Sequence, residues 1–153
     1  MEEILKKIDK IKKERSAYNL VIPEPITKTD ALVFKQEFSP VFGIMADDVY
    51  LNFLMICDGL EENGFQIYAA KNLEKDGVFY GIFENNEIWR EEIEGFENYI
   101  FYAESGQDLF VFNKSDKRYE LLDRSSGDVF ESFQSLDRML VYILDAMLNE
   151  DED

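Results

Sequence analysis

Residues 99–133, YIFYAESGQDLFVFNKSDKRYELLDRSSGDVFESF, decide the fold. Four short runs rich in aromatic and branched side chains (YIFYA, DLFVFN, RYELLD and DVFESF) are separated by ESGQ, KSDK and RSSG. Clusters of Gly, Ser and Asp at that spacing join neighbouring strands as hairpins. The stretch therefore reads as an antiparallel meander. Immediately after it, Ser135 is placed to cap a helix. Leu136, Met139, Leu140, Ile143, Leu144, Met147 and Leu148 then step by three and four, the spacing of one buried helical face. Residues 149–153, NEDED, read as a solvated acidic tail.

Upstream, residues 78–90 (VFYGIFENNEIWR) read as a strand leading to a turn or short helix. Before them stands ICDGLEENGFQIY, Ile56 to Tyr68, an acidic joint between an apolar helical run and an alternating, strand-like one. Asp47 is placed to cap a helix from Asp48 to Cys57, with Val49, Tyr50, Phe53, Leu54 and Cys57 along one side. Gly59 stands where a left-handed helix cap is needed, and Asn63-Gly64 offers the positive φ angles of a tight turn. Nearer the N-terminus, Pro23 and Pro25 enforce an extended segment. A second helix through ALVFKQEF follows, with Thr29 or Asp30 as its cap and Ser39-Pro40 as its end. Residues 1–16 form a basic amphipathic helix: Ile4, Leu5, Ile8 and Ile11 fall at helical spacing, and Glu2–Lys6, Glu3–Lys7 and Asp9–Lys13 are i,i+4 pairs. It lacks the bulky aromatic anchors of a membrane-surface helix, so packing onto the chain's own acidic body is expected. Helices first, strands next and a closing helix give an α+β fold, with a mainly antiparallel curved sheet and the C-terminal helix packed on it.

The chain of 153 residues reads as one domain, long enough to bury about 70% of its unfolded surface. Thirteen Phe, eight Tyr and one Trp supply a core that a disordered acidic chain would lack. The net charge is −17. Residues 1–15 carry six bases and four acids, so the remaining 138 residues hold ten bases against 29 acids. Such a body repels phosphate backbones, which excludes ordinary nucleic-acid binding, and draws in basic proteins. Acidity that serves only solubility is the plainer alternative. No apolar run is long enough to span a membrane, the N-terminus is unlike a signal peptide, and Cys57 is the only cysteine. A cytoplasmic protein without disulfides is expected.

The chain contains no histidine, which excludes Ser-His-Asp and Cys-His catalysis and any His-ligated metal. DGLEENG begins like a calcium loop, but Leu60 stands at its third position. NKSDKRYELLD has Lys117 and Arg118 where a ligand and the sharp-turn glycine belong. No Gly-rich phosphate loop or cofactor motif is present, so neither metal nor cofactor is expected. Acids are so abundant that pairs of them in sequence carry no catalytic information, and the chain reads as a non-enzyme, with a hydrolase relying on carboxylates alone as the remaining catalytic alternative.

A proline-containing lead-in, the acid-capped helix YLNFLMICDGL and then ENGFQIY resemble the SUKH superfamily, in particular its YrhA-like branch. NYIFYAESGQDLFVFN is similar to that family's paired strands around a Gly-containing turn. YELLDRSSGDVFESFQSLDRML resembles its following hairpin and last helix. The resemblance spans residues 20–148 and rests on order and spacing rather than a reactive signature. It implies a non-catalytic protein-binding domain. Many bacterial members are immunity proteins that bind and neutralise a cognate toxin, often a nuclease, whereas fungal relatives are regulatory scaffolds. A basic toxin is thus the implied partner, and an intracellular regulatory or adaptor role is the alternative. Two places are candidates for meeting it. One is the loop Glu61-Glu62-Asn63. The other is ENNEIWREEIEGFEN, where Glu91 and Glu92 belong to a cluster of six glutamates around Trp89 and the single base Arg90. Trp is a favoured interface anchor, but a lone Trp in an aromatic-rich chain is more often core.

Overall fold

The computed structural model of the chain describes residues 1–92 and 94–149. Five helices and eight strands are present among these residues, with six strands forming one antiparallel sheet. The expected meander is there. Strands β5 (Tyr99–Ser105), β6 (Asp108–Asn113), β7 (Arg118–Asp123) and β8 (Val129–Phe133) pair in sequence order. Helix α5 (Leu136–Leu148) follows, capped by Ser135, whose hydroxyl accepts from the Arg138 amide at 3.3 Å. Its stripe is buried from Leu136 to Met147. Most of the expected tail, residues 150–153, lies outside the described residues.

Helix α1 (Glu2–Ser16) packs its buried Ile4, Ile8 and Ile11 along α5, and Lys7 pairs with Asp145. The basic helix thus docks on the chain's own acidic body, as its weak apolar face suggests. Helix α2 (Lys28–Phe42) departs from expectation at both ends. Its cap is Thr27 rather than Thr29 or Asp30. Asp30 instead completes a capping box, with its amide donating to Thr27 Oγ1 at 3.0 Å and its carboxylate accepting from the Thr27 amide. Pro40 does not end the helix but sits in its last turn, where only one backbone bond is forfeited. Gly43, at φ 77°, ends it.

Helix α3 (Asp48–Leu54) is capped by Asp47 as expected but stops three residues before Cys57. The Ile56 amide bonds the Phe53 carbonyl, only three residues back, so the chain tightens out of the helix before Cys57. The Leu54 carbonyl then accepts from the Ile26 amide, and the Asp58 amide donates to the Glu24 carbonyl, so the proline-bearing segment takes the pair that would carry a helix past Cys57. Gly59 is consequently no helix cap. It holds φ 83°, and a Cβ there would come within 2.9 Å of the Ala69 Cβ. The acidic joint itself is a strand, β1 (Leu60–Glu62), which turns at Asn63 (φ 51°) and Gly64 (φ 82°) into β2 (Phe65–Ile67). β2 then pairs with β5, giving the order β1-β2-β5-β6-β7-β8.

A small hairpin, β3 (Glu74–Lys75) and β4 (Val78–Phe79), precedes helix α4 (Ile82–Glu92), so 78–90 is a strand followed by a helix. Helix α4 lies beside β5 below the end of β2. There the Asn86 carboxamide takes the place of a strand: its Oδ1 accepts from the Phe101 amide at 2.7 Å, and its Nδ2 donates to the Phe101 carbonyl at 2.9 Å. Arg90 donates to the Tyr99 carbonyl at 3.0 Å in the same manner. Two polar side chains thereby close a buried sheet edge that would otherwise leave backbone groups orphaned. No helix among the described residues is long and apolar enough to cross a membrane.

Candidate functional site

The two sequence candidates come to lie in two separate settings. The first is a cleft of about 410 Å³ lined by the β1–β2 hairpin, the β5–β6 turn, Arg15 and Arg124. Here the β1–β2 hairpin is tied down on every side. Arg15 donates from Nε to Glu62 at 2.9 Å and from its terminal nitrogen to the Glu61 carbonyl. Asn63 donates to the Ala146 carbonyl at 3.1 Å and to Asn149 Oδ1 at 2.7 Å, fastening the turn to the end of α5. Of the three residues expected to meet a partner, Glu62 and Asn63 therefore hold the structure together. Glu61 and Asn63 are exposed and Glu62 is half-buried, but of the three side chains only that of Glu61 is not engaged by the fold among the described residues.

Two residues of the cleft wall, Glu104 and Arg124, lead inward to Trp89. The tryptophan is 8% exposed and stacks on Phe101 at 5.8 Å, which places it in the core rather than on the surface as an anchor. Its indole N–H donates to the Tyr68 hydroxyl at 3.2 Å, and that hydroxyl donates to Glu104 at 2.7 Å. Arg124 lies 5.0 Å from the centre of the indole ring and donates to the other Glu104 oxygen at 2.7 Å. Burial, with Glu104 beside it, pushes the Tyr68 hydroxyl well above its ordinary value. Neither Glu104 nor Arg124 stands out in sequence, since both occupy ordinary turn-flanking positions. No sequence signal marks this network.

The second setting holds Glu91. Helices α2 and α4 lie side by side, with Phe83 packed between Phe34 (5.4 Å) and Phe42 (5.7 Å). Between them runs a groove of about 800 Å³ lined by Gln36, Glu37, Pro40 and Val41 from α2 and by Phe83, Asn86, Glu87, Arg90 and Glu91 from α4, with Asn72 at one end. The α4 residues fall at i, i+3, i+4, i+7 and i+8, a single helical face. Glu37, Glu87 and Glu91 are exposed, and so is Glu92 beyond the groove. No cation among the described residues forms an ion pair with Glu87, Glu91 or Glu92. Arg90 is held elsewhere, with its guanidinium 4.9 Å from the centre of the Phe42 ring and on the Tyr99 carbonyl. No hydrogen bond, ion pair or shared cavity joins the Glu61-Glu62 loop to Glu91 among the described residues. The α2 contribution escaped the sequence reading, although it had a signal. Val41 exceeds the buried stripe Ala31-Phe34-Phe38-Phe42 and is 52% exposed.

The single thiol, Cys57, is buried. Burial pushes the Cys57 thiol up to about 12. No group of three or more Cys, Asp or Glu among the described residues is placed to hold a metal.

No family model matches the sequence, and no curated protein matches it. Among solved structures, the chain is similar to that of a protein from Pseudomonas syringae pv. tomato, with a TM-score of 0.58 and 17% identity over 97% of this chain and 99% of that one. At that identity the likeness extends to the fold.

Proposed function

We propose that the chain is a non-catalytic protein-binding domain that captures a basic protein. Following the SUKH resemblance, we infer an immunity protein that neutralises a cognate toxin, often a nuclease, in the cytoplasm. The observation that carries this reading is the way charge is used. Several cations serve the fold: Lys7 on Asp145, Arg15 on Glu62, Arg124 on Glu104, Arg90 on the Tyr99 carbonyl and Lys114 on the Phe42 carbonyl. The exposed acids of α4 meanwhile have no counter-ion among the described residues. A surface of that kind presents its negative field outward, which steers a basic partner towards it and penalises an acidic one. A nuclease toxin has a basic substrate groove, and occupying that groove needs no chemistry from the inhibitor.

The test is co-expression with any toxin domain encoded beside this gene. Cell survival together with a stable purified complex supports the reading. Unprotected cells, or a neighbourhood that encodes no toxin, would move the regulatory or adaptor alternative ahead.

A further inference from the structure

We infer that the groove between α2 and α4 is the seat of a basic amphipathic helix contributed by the partner. This rests on the protein-binding reading above and names the face and the kind of segment it receives. Phe83, Pro40 and Val41 give the groove an apolar lining, and Val41 is 52% exposed. Acids stand on both walls, Glu37 on α2 and Glu87 and Glu91 on α4. The last two are four residues apart, hence about 6 Å along the helix, a spacing that lysines or arginines at i and i+4 of a facing helix reproduce.

The walls also decide the form of the occupant. Both are helices, whose backbone bonds run internally except for the one Pro40 forfeits, so an extended peptide would find no sheet edge to pair with here. A helix satisfies its own backbone and presents only side chains. A second copy of this chain does not fit. Each copy carries −17, which would set acidic rim against acidic surface, and the chain's own basic helix α1 is occupied against α5. Arg90 is the one cation among the described residues that line the groove. With its guanidinium held against Phe42 and Tyr99, three carboxylates outnumber it.

The experiment uses the full-length protein and a synthetic helical peptide of Leu and Lys, with leucines at i, i+3, i+4 and i+7. A scrambled peptide of the same composition is the control for charge alone. Backbone amide shifts locate the site, and fluorescence anisotropy gives the affinity for the unmodified protein, Val41→Asp, Glu87→Lys/Glu91→Lys and the control Glu61→Lys/Glu131→Lys. All the changed residues are exposed, and circular dichroism verifies folding. The expected result is that shifts cluster on residues 36–41 and 83–91. Each groove variant should weaken binding about tenfold or more, as loss of an anchor does, and the control should weaken it far less. Three results would overturn the assignment: equal losses in the control, equal binding of the scrambled peptide, or concentration-dependent self-association that maps to the groove. A toxin complex that forms while the groove variants bind it normally rejects the groove and leaves the protein-binding reading intact. Groove binding of the peptide with no toxin complex does the reverse.

Discussion

The hairpin cleft and the α2–α4 groove are built from the same residue types and put them to opposite uses. In and behind the cleft, Arg15, Glu62, Asn63, Tyr68, Trp89, Glu104 and Arg124 form a nearly closed set of donors and acceptors. In the groove, Glu87 and Glu91 stand exposed beside apolar surface. Acids that look alike in sequence thus divide into ones the fold depends on and ones it does not. The difference is measurable, because removing a partner from a satisfied buried network costs stability, whereas changing a solvated charge costs almost none.

The core shared by both regions sets the upper limit. Leu144 on α5 is fully buried, and Leu144→Ala should cost roughly 2–5 kcal/mol in denaturant unfolding, the range for a core cavity. An unchanged midpoint would mean that α5 is peripheral and the cleft fastened to its end unsupported. The next largest effect belongs to the cleft. Glu104→Ala strips the buried Tyr68 hydroxyl of its acceptor and Arg124 of its carboxylate, so a loss of roughly 1–3 kcal/mol is expected. A variant as stable as the parent would place the cleft in the same class as the groove.

High pH probes the same contrast without mutation. Burial raises Cys57 from 9.0 to about 12 and raises Tyr50, Tyr68, Tyr102 and Tyr119 above 10.0. An acid whose folded value exceeds its unfolded one holds its proton longer in the folded state. Its stabilising contribution is therefore complete below the unfolded value and is lost as pH rises through the folded one. Stability should be level to about pH 8.5 and decline beyond it, with ionisation of Tyr50, Tyr68, Tyr102 and Tyr119 in the near-ultraviolet appearing together with unfolding. Ionisation of these four in a folded protein near the ordinary tyrosine value would contradict this packing.

The smallest effect on stability is expected at α4. Glu91→Lys/Glu92→Lys should change it by no more than about 0.5 kcal/mol, yet slow association with a basic partner and flatten its salt dependence, because steering acts over about 8 Å at physiological salt. On-rates measured across a salt series provide the check. If the rates are unaltered, the acids serve solubility alone.

Much of this architecture was legible in the chain itself. The meander, the α5 stripe, the Asp47 and Ser135 caps and the Asn63-Gly64 turn are local patterns, set by alternation, helical spacing and turn chemistry within a few residues. No contact with distant chain is needed to produce them. Where distant chain intervenes, local signals misled. No helix runs on past Cys57, because Ile26 and Glu24, far earlier in the chain, bind the Leu54 carbonyl and the Asp58 amide. The acidic stretch Leu60–Glu62 became strand β1 only because Phe65–Ile67 lies beside it and β5 beyond. Nothing in the stretch 78–90 marks Asn86 and Arg90 as the side chains that meet the β5 backbone. The candidate site divides in the same way. Composition alone determined an anionic body, since net charge is a sum over residues and is indifferent to their arrangement. Only the tertiary structure decided that Glu62 and Asn63 are internal fastenings, that Trp89 is core and that Glu91 borders a groove. The partner of a hydrogen bond or ion pair is selected by distance in space, and a sequence does not state that distance.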